Sequence, residues 1–119
     1  MIPALAIRVL DLNGVPMASL EGEIDISNAS ESRDELFAAL SNQPAGLIVD
    51  LSGVTYLDSR GVHVLLELAE RMKVRHQQLR LVVPDTALIK RVLQLTHLDE
   101  IVPVDATVED AAEQIRSES

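Results

Sequence analysis

Three short aliphatic runs, set apart by helix-like patterns, constrain this chain more than any other feature. They are Gly46 to Leu51 (GLIVDL), Leu79 to Val83, and Ile101 to Val104. A continuous apolar run of this length reads as a strand covered on both faces, because a solvated face would impose alternation. Between the first two, residues 59–75 repeat Val62, Leu65, Leu66, Ala69 and Met72 at helical spacing, with Glu67, Glu70, Arg71 and Lys73 turned to water. Strands that alternate with helices pair in parallel through right-handed crossovers.

The chain opens differently. Residues 4–12 alternate, with Leu5, Ile7 and Val9 on one face, and Asn13-Gly14 follows. Both residues of that dipeptide suit the φ > 0 positions of a type I′ turn, so a second, antiparallel strand is expected over 15–21. Pro16 has no N–H to give a ladder, which places this strand, or its start, at a sheet edge. A helix should begin near Asn28, where Asn28 and Glu31 have capping-box spacing, carry Ala29, Leu36, Phe37 and Leu40, and stop at Pro44. After Pro84, Asp85 or Thr86 can cap a helix bearing Leu88, Ile89, Val92 and Leu95. Thr107, with Asp110 at the box position, opens a last helix striped by Val108, Ala111, Ala112 and Ile115. The predicted order is ββαβαβαβα: one α/β domain over 1–119, with its core at about 4–116, a mixed sheet and about four helices.

Composition removes several function classes. There are 10 Lys+Arg against 19 Asp+Glu, and the formal charge of −9 repels nucleic-acid phosphates and anionic lipid. One Phe, one Tyr and no Trp cannot build a stacking platform for single strands. The absence of Cys removes disulfides, thiolate metal sites and thiol nucleophiles. No signal peptide or membrane-length apolar run is read, so a cytoplasmic protein with protein partners is expected.

In a sheet of this kind, function gathers where the strands' carboxyl ends meet helix N-termini. Two segments converge there: Gly22-Glu23-Ile24-Asp25, leaving the second strand, and Leu57-Asp58-Ser59-Arg60-Gly61, entering the clearest helix. Ser59 falls at the expected N-cap. One reading makes it only a cap, worth ~1 kcal/mol. The other makes it a modification site, since a phosphoserine of roughly −1.5 to −2 charge suits the positive end of a helix. Gly61 either leaves the hydroxyl uncovered or serves helix–strand packing.

The run Asp50 to Val62 (DLSGVTYLDSRGV) closely resembles the phosphorylation-site signature of STAS domains in anti-sigma factor antagonists. Gly22 to Asp25 resembles the family's G-E-[LI]-D motif, and Leu95-Thr96-His97-Leu98-Asp99 its L-x-x-L-D segment. The resemblance implies a protein that binds an anti-sigma factor, usually also a serine kinase, and so frees a sigma factor. ATP-dependent phosphorylation of Ser59 would dissociate that complex, and a serine phosphatase would reverse it. Asp25, Asp58, Ser59, Arg60 and Gly61 would then form the partner-binding surface. Asp25 would either orient the kinase or its basic groups, or only cap the helix of Asn28 from nearby or solvate its loop, and Asp50 would bond loop amides around Ser52 and Gly53. Arg60 departs from the small residue common in the family; it could pair with a phosphate on Ser59 or point to solvent. The implied protein is no enzyme, needs no cofactor or metal, and is a monomer or weak homodimer. The alternative within the family is a non-switching STAS adaptor in a transporter or stress-signalling complex.

Other chemistries fit the residues less well. His63 lies on the same helix as Ser59, with no Gly-x-Ser-x-Gly elbow to support a hydrolase. A phosphoacceptor role for Asp50 lacks a Lys after the last strand, because the only lysines, Lys73 and Lys90, fall on helices. No Gly-x-x-x-x-Gly-Lys loop exists to bind a nucleotide.

Overall fold

The computed structural model describes residues 4–40 and 45–118, and the expected stop at Pro44 lies outside them. Strands β1 (Leu5–Leu12) and β2 (Val15–Ile24) form the opening hairpin, with Asn13 and Gly14 at φ 51° and 91° as a type I′ turn requires. Helix α1 (Ala29–Leu40), strand β3 (Gly46–Leu57), helix α2 (Ser59–Val74) and strand β4 (Gln78–Val82) follow. Helices α3 (Ile89–Leu95) and α4 (Leu98–Ile101), strand β5 (Val104–Asp105) and helix α5 (Val108–Glu118) complete the chain. The five strands lie side by side in chain order, β1 antiparallel to β2 and every later pair parallel. The mixed α/β class is as the sequence indicates, with one helix more than expected.

Alternation along the strands divides the core between two faces. Leu47, Val49 and Leu51 of β3 join Ala18, Leu20, Leu81 and Val83 in the larger cluster, which α1, α2, α3 and α4 cover. Ile48, pointing the other way, joins Val15, Met17 and Val82 beneath Ala111, Ala112 and Ile115 of α5. The unbroken apolar run at 46–51 is explained by this double coverage. On α2, Leu68 is fully buried along with Leu65, Met72, Val62 and Val64, while Leu66 and Ala69 are only partly so. The buried stripe is therefore centred differently from the expected one. Two residues of β5 suffice because Arg80 and Asp105 clamp β4 to β5 through a forked ion pair at 2.7 and 3.1 Å.

Several local expectations are corrected. Of the two places expected for Pro16, the start of the strand and not the whole strand proves right: β2 is internal, but its pairing with β3 begins at Met17 and Pro16 faces Asp11 of β1 alone. Val9 is half exposed on the free edge strand β1, not in the core. Asn28 makes no capping box: its Oδ1 accepts from Asp25 N–H at 3.1 Å and its Nδ2 donates to the Glu23 carbonyl at 2.8 Å. Neither Asp85 nor Thr86 caps α3, which begins at Ile89 with Leu88 in the cap position and no side-chain cap bond. Asp85 instead pairs with Lys90, and Leu93 rather than exposed Leu95 is the buried anchor. Ile101 ends α4, so the last strand starts three residues later than expected. Thr107 does cap α5, accepting from Asp110 N–H at 3.1 Å.

Candidate functional site

The two signature segments lie against each other as neighbouring strand ends. Glu23 pairs with Tyr56 and Ile24 with Leu57 in the parallel β2–β3 ladder. The ladder closes with Asp58 N–H donating to the Ile24 carbonyl at 3.2 Å. Strand β3 runs on to Leu57, so Asp50 lies within it and not at its end. Asp50 Oδ1 accepts from the Ser52 N–H at 3.0 Å and the Ser52 hydroxyl at 2.6 Å, beside an irregularity in register between Ser19 and Glu21. Its role is to shape that irregular stretch.

Asp58, not Ser59, is the N-cap of α2. It has extended backbone, and its Oδ1 accepts from Arg60 N–H at 2.9 Å and Gly61 N–H at 3.1 Å. Asp and Ser are both good caps, and here they are adjacent. The carboxylate takes the amides, which leaves Ser59 as the first helical residue. Ser59 is exposed, and its hydroxyl makes no hydrogen bond among the described residues. Arg60 beside it is exposed as well.

Gly61 is buried, and a Cβ there would lie 2.3 Å from Leu57 Cδ1 and 2.9 Å from Ile24 Cγ2. The packing reading of this glycine therefore holds: its absent side chain lets α2 sit close over the ends of β2 and β3. Gly22 has a different reason. Its φ is +116°, and a Cβ would lie 2.1 Å from the Ala4 carbonyl oxygen, which accepts from Glu23 N–H at 2.9 Å.

Asp25 follows β2 directly. Its Oδ1 accepts from the Ser27 hydroxyl at 2.5 Å and the Ser27 N–H at 2.9 Å. The Ser27 hydroxyl foremost, then the Ser27 amide, hold this carboxyl below the ordinary aspartate value. Asp25 thus stands as a fixed anion at the same end of the sheet as Asp58 and Ser59. Asn28, which the sequence reading took for a cap, bonds both Glu23 and Asp25 and locks the turn.

Two exposed apolar side chains at this end escaped the sequence reading: Ile26, 71% exposed, next to Asp25, and Tyr56, 50% exposed, opposite Glu23. The available signal for Tyr56 was that the single Tyr of the chain follows Thr55 within the Asp50–Val62 run. The L-x-x-L-D segment is structural at its centre. The Thr96 hydroxyl donates to the Val92 carbonyl at 2.8 Å, His97 takes a left-handed φ of 61° between α3 and α4, and Leu98 is fully buried. Among the described residues no group of three or more His, Cys, Asp or Glu could hold a metal, and no helix is long and apolar enough to cross a membrane.

This arrangement, a hairpin-led sheet presenting a free serine at the mouth of its central crossover helix, belongs to a known class. The STAS domain model matches residues 6–111, and the chain belongs to that family. Its relatives share a description. Anti-sigma-F factor antagonist RsfB of Mycobacterium tuberculosis is 29% identical over 114 residues, covering 95% of this chain and 91% of the relative. Anti-sigma-F factor antagonist RsfA of the same organism is 34% identical over 92 residues, covering 76% and 71% respectively. The crystal structure of an anti-sigma factor antagonist from Mycobacterium paratuberculosis matches with a TM-score of 0.84 at 30% identity, over 94% of each chain.

Proposed function

We propose that this protein is an anti-sigma factor antagonist, a binding module rather than a catalyst, switched by phosphorylation of Ser59. The observation that carries the reading is the division of labour at the start of α2. Asp58 does the capping, so the exposed Ser59 hydroxyl has no structural duty to lose. A kinase would move the γ-phosphoryl of ATP to Ser59 Oγ: the bond to the β-phosphate oxygen breaks, the new O–P bond forms, the hydroxyl proton leaves, and ADP departs. The fold behind the site remains, because neither Leu57 nor Ile24 depends on that hydroxyl.

The partner surface in this reading centres on Ser59, with Asp25 and Asp58 as fixed anions, Arg60 as a cation, and Ile26 and Tyr56 as apolar contacts. Gly61 contributes by bringing the helix close to the strands. Anions around a serine suit an anti-sigma factor that presents basic groups at the rim, and a dianion added at the centre must be desolvated there against the repulsion of Asp25 and Asp58, which opposes docking. Kinase and phosphatase then set the proportion of binding-competent molecules.

The test is to incubate the protein with a candidate anti-sigma factor kinase and ATP, and to map the modification by mass spectrometry. One phosphoryl group on Ser59, absent from Ser59→Ala, is expected. A protein that stays unmodified, and that recovers transporter or stress-complex subunits instead of a kinase, would fit the adaptor role and overturn this one.

A further inference from the structure

A phosphate arriving on Ser59 meets a helix start where the Arg60, Gly61 and Val62 amides are already engaged. The Arg60 and Gly61 amides are given to Asp58 Oδ1, and Val62 N–H donates to the Asp58 carbonyl at 3.0 Å. Of the first four amides of α2, that leaves the backbone only the Ser59 N–H to offer a dianion set beside the Asp58 carboxylate. Side chains must supply the positive charge.

Two side chains able to carry positive charge follow Ser59 within one turn of α2. Arg60 is the next residue, and so projects about 100° around the helix from Ser59. His63, four residues on, lies on the same face one turn away. Its side chain is 64% exposed, and its Nε2 lies 3.0 Å from Glu67 Oε1. Glu67 does not depend on that contact, because its other oxygen is held by Arg33 Nε of α1 at 2.6 Å. Helical spacing therefore sets Ser59 and Arg60 one turn before His63, while its observed partner Glu67 lies one turn after it, held in turn by Arg33.

We infer that His63 is the residue that positions the phosphate when Ser59 is modified, leaving Glu67 to Arg33 and pairing with the dianion one turn back. The inference rests on Ser59 being the modified residue. A monoanion already paired with arginine competes poorly with a dianion for the same ring N–H donor, which favours the exchange. The α1–α2 link through Arg33 and Glu67 survives the move. A cation one turn away favours the phosphate dianion over the monoanion.

Phosphoserine placed at position 59 during translation needs no kinase, so failure here and failure of the switching proposal are separately visible. Phosphorus NMR then follows the second ionisation of the phosphate with pH. The phosphate should lose that proton at lower pH than in the same protein carrying His63→Gln, a difference of about two- to fivefold in proton affinity. His63→Lys, which restores a cation, should recover the lowering. Superimposable curves for the parent and His63→Gln would overturn the inference. So would a lowering that survives His63→Gln and vanishes only with Arg60→Gln.

Discussion

The Asp58 amide donates to the Ile24 carbonyl at 3.2 Å, and this bond joins the Gly22–Asp25 segment to the Asp58–Gly61 segment. Through it the end of β2 fixes where α2 begins, and hence where Ser59 stands. Gly61 completes the junction by resting on the side chains of the two strand-end residues, Ile24 and Leu57.

That closeness has a cost for substitution. Gly61→Val would place a branched side chain where even a Cβ lies 2.3 Å from Leu57 Cδ1. A loss of about 1–3 kcal/mol in stability is expected, read from urea unfolding midpoints. An unchanged midpoint would mean that α2 does not need to sit so near.

Capping belongs to Asp58, so the two adjacent residues should answer alanine differently. Asp58→Ala removes the acceptor of two amides and should cost about 1 kcal/mol, or up to about 2. Ser59→Ala should change stability by less than about 0.5 kcal/mol, as surface substitutions usually do. Thermal unfolding of both variants decides it, and the reverse order would return the cap to Ser59.

Along α2, Leu68 is fully buried while Leu66 is only partly covered. Leu68→Ala should cost about 2–5 kcal/mol, and Leu66→Ala clearly less. Chemical denaturation that gave equal losses would show the buried stripe to be misplaced.

Asp25 should titrate below the usual aspartate value of about 3.9, because the Ser27 hydroxyl, then the Ser27 amide, stabilise its charge. A depressed folded pKa contributes stability that is complete above the unfolded value and fades as pH falls through the folded one. Removing the hydroxyl by Ser27→Ala should move the Asp25 carboxyl titration, followed by carbon NMR, upward. No movement would exclude Ser27 as the cause.

The sequence made the architecture legible where its signals were physical and local. Asn13-Gly14 specified the hairpin, and the run at 46–51 specified a strand covered twice. It was less informative where two solutions share one pattern. Four apolar residues at 101–104 are as consistent with the end of a helix as with a strand, and the buried Leu98 with the left-handed His97 drew Ile101 into α4. Pro16 tolerates an internal strand because β3 starts its ladder one residue later. At the site, the segments and their meeting point could be read from the motifs. The choice between Asp58 and Ser59 as cap could not, because it depends on which side chain reaches the amides. The exposure of Ile26 and Tyr56 depends on which face the strand ends turn to water, a tertiary fact.

The central claim is tested most directly by titrating a purified anti-sigma factor partner with the unmodified protein and with the protein carrying phosphoserine at position 59, both shown to be folded. Specific binding of the unmodified form, and binding weaker by at least about tenfold, or 1.4 kcal/mol, for the phosphorylated one, is the predicted result. Equal affinities for two equally folded proteins would contradict it.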